Sequence, residues 1–128
     1  MVTTLYAGIL GLMYIGLAIF TIHGRYKYRV NLGTGNNENM EKRVRVHGNF
    51  AEYVPFALLI MLFAEVEGIS ENIIHALGIA LVMGRVLHPF GILFKFGPSV
   101  GRTGGMFLTF GVIIVGSFLC IKSYFIIL

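Results

Sequence analysis

Four stretches of the chain are almost free of charge. Val2 to Ile22 has no charged side chain. Phe50 to Ala64 is interrupted only by Glu52, Ile73 to Phe94 by His75, Arg85 and His88, and Met106 to Leu128 by Lys122. A helix that crosses the hydrocarbon needs about 20 such residues. The second run is short, and the pattern predicts that its helix continues back through Met40, with its first turns outside the hydrocarbon. Strict alternation of polar and apolar positions is missing, which argues against a transmembrane barrel. Helices satisfy their own backbone in lipid, and the 17 glycines suit close helix packing. The expectation is an all-α integral membrane four-helix bundle, one domain over residues 1–128, with spans at about 2–22, 46–65, 72–93 and 104–126.

Composition sharpens this picture. Of the 128 residues 56% are hydrophobic and 12% charged, against roughly 25% charged in an average soluble domain. A single cysteine excludes a disulfide framework, and no Cys/His set has the spacing of a structural metal site. No metal is therefore expected, and Glu65, Glu67 and Glu71 are expected to form a solvated loop face. The first run lacks a preceding basic residue and a following small-residue cleavage pattern, so it is expected to be a span and not a signal peptide.

The net charge of +4 is distributed unevenly. Arg25, Lys27, Arg29, Lys42, Arg43 and Arg45 lie between the first and second spans, and Lys95 and Arg102 between the third and fourth. The second loop is acidic. The positive-inside rule puts loops 1 and 3 in the cytoplasm and both termini on the opposite side. The charge thus reports topology, and a nucleic-acid partner is not expected. Residues 24–40 read as the one long loop, with Gly33-Thr34-Gly35-Asn36-Asn37 as its turn. It is no phosphate loop, since no strand precedes it and no Lys-Ser/Thr follows.

Ionisable groups at membrane depth are costly and mark function by default. Lys42, Arg45, Asn49 and Glu52 are offset by three, seven and ten residues. At about 100° per residue they share an arc of about 80° on one helix face. Tyr53 lies at its edge. Arg85, His88 and Ile92 repeat the device on the third helix. Both faces sit toward the cytoplasmic ends and can converge on one cavity. Such a cavity suits a compact zwitterion: Arg and Lys take carboxylates, Glu52 an ammonium, and Asn49 offers a donor and an acceptor. The plainer alternative is an ion pair between Glu52 and Arg85. His47 falls off the stripe and faces either a neighbouring subunit or the interface. His75 is expected to be exposed or interfacial, and Cys120 to pack in the core or against lipid. Pro55 is expected to bend the second helix, and Pro89 and Pro98 to mark the end of the third and the loop after it.

The segment Glu41-Lys42-Arg43-Val44-Arg45-Val46-His47-Gly48-Asn49-Phe50-Ala51-Glu52-Tyr53-Val54-Pro55 resembles the signature of the MAPEG family, the membrane-associated proteins in eicosanoid and glutathione metabolism. Arg85-Val86-Leu87-His88-Pro89-Phe90-Gly91 resembles its third-helix motif. Arg25 to Val30 with Gly33-Thr34-Gly35 is similar to the first loop of short bacterial members, and Arg102-Thr103-Gly104-Gly105-Met106 to their fourth-helix start. The resemblance implies a homotrimer in the bacterial inner membrane, with glutathione as substrate between subunits on the cytoplasmic side. It implies glutathione contacts from Arg25, Lys42, Arg45, His47, Asn49, Glu52, Tyr53, Arg85 and His88, and a thiolate-stabilising, catalytic Arg102. The implied activity is that of a microsomal-type glutathione transferase or peroxidase acting on lipophilic electrophiles that enter from membrane lipid. The alternative is a glutathione-binding or structural protein without catalysis. Lys42 stands where the family usually has Arg, and Ile92 where the eicosanoid-forming members have Tyr. A small multidrug exporter is disfavoured, because the first span lacks a carboxylate.

Overall fold

A computed structural model describes residues 1–94 and 99–127. Lys95 and Pro98, assigned above to the third loop, lie outside the described residues. The chain forms α1 (Thr3–Tyr28), α2 (Glu38–Val66), α3 (Glu71–Leu93) and α4 (Val100–Ile127). All four are long and apolar enough to cross a membrane, and they run alternately up and down.

Local chemistry sets the ends of these helices. Asn37 caps α2 by accepting from the Met40 N–H at 2.9 Å, and Glu38 and Glu41 lie in the first turn, where they complement the helix dipole. With 29 residues α2 is about 43 Å long and, as expected, continues back through Met40. The first loop is shorter than the sequence suggests, because α1 continues through Arg25 and Lys27. It ends at Arg29, which is left-handed with φ 54°. Gly33 and Gly35 also take positive φ, as the turn signal predicted.

Neither Pro55 nor Pro89 ends its helix. The expectation that Pro89 closes α3 is corrected: the helix runs on to Leu93. In a spanning helix, neighbouring elements supply what a proline removes, and here α4 packs along this stretch of α3. Ser99 donates its hydroxyl to the Gly91 carbonyl at 2.7 Å and accepts from the Arg102 N–H at 3.2 Å, joining the end of α3 to the start of α4. Farther along the same seam the backbones touch. A Cβ on Gly105 would lie 2.6 Å from the Gly84 carbonyl oxygen, and one on Gly84 would lie 2.8 Å from that of Gly105.

The helices α2 and α3 are central. Among the described residues α1 packs on both, α4 packs on both, and α1 and α4 do not meet. Leu10, Phe50, Val54, Ala57, Met61, Ile74, Leu81 and Val112 fill the core. Leu12, Ile19, Phe63, Ile79, Phe107 and Phe118 point outward, as expected where hydrocarbon is the solvent.

The end of the bundle that holds the start of α1 corrects one expectation. Glu65 is not merely a loop carboxylate: it accepts from the backbone N–H groups of Val2 and Thr3, the latter at 2.9 Å. The first turn of α1 has no acidic residue and no side-chain cap of its own, so its free N–H groups take an acceptor from the adjacent end of α2. His75 is half-buried and bonded to Tyr6, whose hydroxyl lies 2.9 Å from Nδ1 and 3.2 Å from the His75 carbonyl oxygen. Glu67 and Glu71 are exposed. Cys120 is half-buried, with its thiol toward the Ile60 carbonyl at 3.6 Å.

Candidate functional site

The polar stripe of α2 opens onto a cavity of about 580 Å³ at the opposite end of the bundle. Lys42, Arg45, Asn49 and Glu52 line it from α2, His88 and Ile92 from α3, and Arg102 from the first turn of α4. The convergence expected from the helical offsets is therefore present within one chain. Arg45, Glu52 and Arg102 are exposed to the cavity mouth, Lys42 and Asn49 are half-buried, and His88 is buried.

Other expected site residues stand elsewhere. Arg85 is buried and does not line the cavity. Its Nη1 donates to Asn49 Oδ1 at 2.8 Å, and its Nη2 lies 3.4 Å from the Gly105 carbonyl oxygen. No ion pair joins Arg85 to Glu52 among the described residues, so the plainer alternative is not what the fold adopts. Tyr53 packs its ring against Phe110, with centroids 5.6 Å apart. His47 stacks on Tyr14 of α1 at 4.9 Å, and its buried Nε2 has no partner within the described chain. Arg25 turns back onto its own loop, donating to the Gly33 carbonyl at 3.1 Å. A neighbouring residue, Arg43, anchors α1 by donating to the Phe20 carbonyl while its guanidinium lies 3.8 Å from the centroid of the Phe20 ring.

Two carboxylates escaped the sequence reading. Glu38 and Glu41 also line the cavity, and Glu38 pairs with Lys42 at 3.4 Å. Continuing the helical count backward from Lys42 would have found them, since they project at about 320° and 260°, within and beside the same stripe. With them the wall carries three carboxylates and three permanent cations. The Lys42–Glu38 pair is open to solvent on the Glu38 side, and such half-exposed pairs are weak. Arg45 and Arg102 present planar forks suited to carboxylates, and the glutamates suit an ammonium. Val44 and Ile92 add an apolar patch. The wall is matched to a small zwitterion with an apolar or polarisable part.

The sequence model of the MAPEG family matches residues 3–122. Inner membrane protein YecN of Escherichia coli is 36% identical over 91 residues, which cover 71% of this chain and 70% of the relative. Its counterpart in a second Escherichia coli strain matches to the same extent.

Proposed function

The chain belongs to the MAPEG family, and from that premise we propose that it is a glutathione-dependent transferase or peroxidase of the bacterial inner membrane, acting on lipophilic electrophiles. The observation that carries this reading is the cavity: Lys42, Arg45, Asn49, Glu52, His88 and Arg102 from three helices surround one space of about 580 Å³. Glutathione has two carboxylates, one ammonium and a thiol. Arg45, Arg102 and Lys42 match the carboxylates and the sulfur, and the glutamates match the ammonium. The active assembly in this reading is a homotrimer with loops 1 and 3 cytoplasmic. Its neighbouring subunit supplies the partner for His47.

A free thiol has a pKa of about 8.5 and is mostly protonated at neutral pH. A guanidinium beside the sulfur in a site of low dielectric favours the thiolate. Arg102 has that role: it lines the cavity from α4, opposite the α2 stripe. The S–H bond gives its proton to solvent, and the thiolate attacks the electrophilic carbon. The S–C bond forms as the leaving group departs with the bonding electrons.

A second reading has one specific observation in its favour. Ile92 lines the cavity, so an apolar side chain occupies a place from which a hydroxyl could have reached the sulfur. In that reading the protein binds glutathione without activating it. Ultraviolet difference absorbance separates the two. Protein in detergent is titrated with glutathione, and a nitroaryl electrophile is then added. A thiolate band that decays on that addition is the result expected of a transferase. Calorimetric binding without the band supports the second reading, and no binding overturns both.

A further inference from the structure

Arg85 is 1% exposed, and all its partners are neutral: Asn49 Oδ1 at 2.8 Å, the Gly105 carbonyl at 3.4 Å and the Met106 sulfur at 3.4 Å. Its Nε is buried without a partner among the described residues. Among the described residues no carboxylate pairs with it. A buried cation held only by neutral groups is expensive in a membrane-spanning helix.

A guanidinium only donates hydrogen bonds. The bond to Arg85 therefore fixes which way the Asn49 amide faces. Oδ1 belongs to Arg85, and Nδ2, which has no partner among the described residues, is left for the cavity that Asn49 lines. We propose that Arg85 is a positioning residue that holds Asn49 as a donor, so that the cavity beside Asn49 seats an anionic acceptor group of the ligand. That group supplies the counter-charge Arg85 lacks, and the ammonium of the ligand goes to the glutamates instead. The proposal rests on the reading of the cavity as a glutathione site and assigns polarity within it.

The decisive variant is Asn49→Asp. It keeps the size of the side chain and an oxygen for Arg85, but it replaces both N–H donors by an acceptor. In detergent its melting temperature should equal or exceed that of the parent, while the calorimetric Kd for glutathione rises about tenfold or more. Arg85→Lys, which still donates and keeps the charge, should retain more binding than Arg85→Met. The loss in Arg85→Met combined with Asn49→Asp should be smaller than the sum of the single losses. Equal glutathione binding by parent and Asn49→Asp overturns the donor assignment and leaves the glutathione site standing. An Asn49→Asp protein that melts well below the parent overturns the missing counter-charge. If the parent binds no glutathione, the reading of the cavity falls, and melting alone decides the positioning role. That role stands if Asn49→Asp is as stable as the parent and Asn49→Leu is clearly less so. It falls if the two substitutions are equivalent.

Discussion

At the end of the bundle where α1 begins, Glu65 meets the N–H groups of Val2 and Thr3, and Tyr6 meets His75. At the other end Arg45, Glu52 and Arg102 face a cavity, and the only ion pair among the described residues is the one between Lys42 and Glu38. Both ends bring ionisable side chains to spanning helices, where each is costly. One end uses them up in ties between helices, and the other leaves them pointing into a shared space. Polar groups satisfied by backbone hold a membrane bundle together. Polar groups left facing a cavity are the ones available to a ligand.

Substitutions at the two ends should separate accordingly. The largest effect belongs to Arg102→Ala, which should lower transferase activity and the thiolate band by about a hundredfold or more, with calorimetric glutathione binding still measurable and melting unchanged. Bound glutathione that ionises equally in parent and variant would show that Arg102 does not stabilise the thiolate. Next is Glu65→Ala at the opposite end, which leaves the first N–H groups of α1 without their carboxylate. It should lower the melting temperature by about 5 °C and leave glutathione affinity unchanged. A loss of affinity without loss of stability would erase the distinction between the ends. Tyr6→Phe removes only the hydroxyl that His75 shares, and a destabilisation of about 1 kcal/mol in thermal or denaturant unfolding is expected. The smallest effect is a gain: Ile92→Tyr puts a hydroxyl into the cavity wall and should raise the initial rate with a nitroaryl electrophile about threefold. An unchanged rate would mean that Ile92 does not limit the chemistry.

Much of this organisation is legible in the chain. Uncharged runs of spanning length locate the helices because lipid leaves the backbone no other partner. The offsets of Lys42, Arg45, Asn49 and Glu52 locate the cavity wall because a helix places them on one face. The same arithmetic puts His47 off the stripe, and it stacks on α1 instead. What stays hidden depends on contacts between distant segments. Glu65 looks like a solvated loop residue until α1 lies beside it, and nothing in the chain pairs His75 with Tyr6 until α1 and α3 pack together. Arg85 shares a face with His88, yet it lies behind Asn49 because α4 closes over it through Gly105. The wheel reports direction around one helix and says nothing about what another helix covers.

The seam between α3 and α4 has a consequence for how such a protein can diverge. Gly84 and Gly105 set the distance between the two helices, and Ser99 ties the end of one to the start of the other. The placement of Arg102 relative to His88 is thus written into backbone contact and one hydroxyl. Outward-facing positions such as Ile79 and Phe107 are under no such constraint, so they can drift among apolar residues from one lineage to another without disturbing the site. Exchanges at the two glycines cannot, since any side chain there pushes the helices apart.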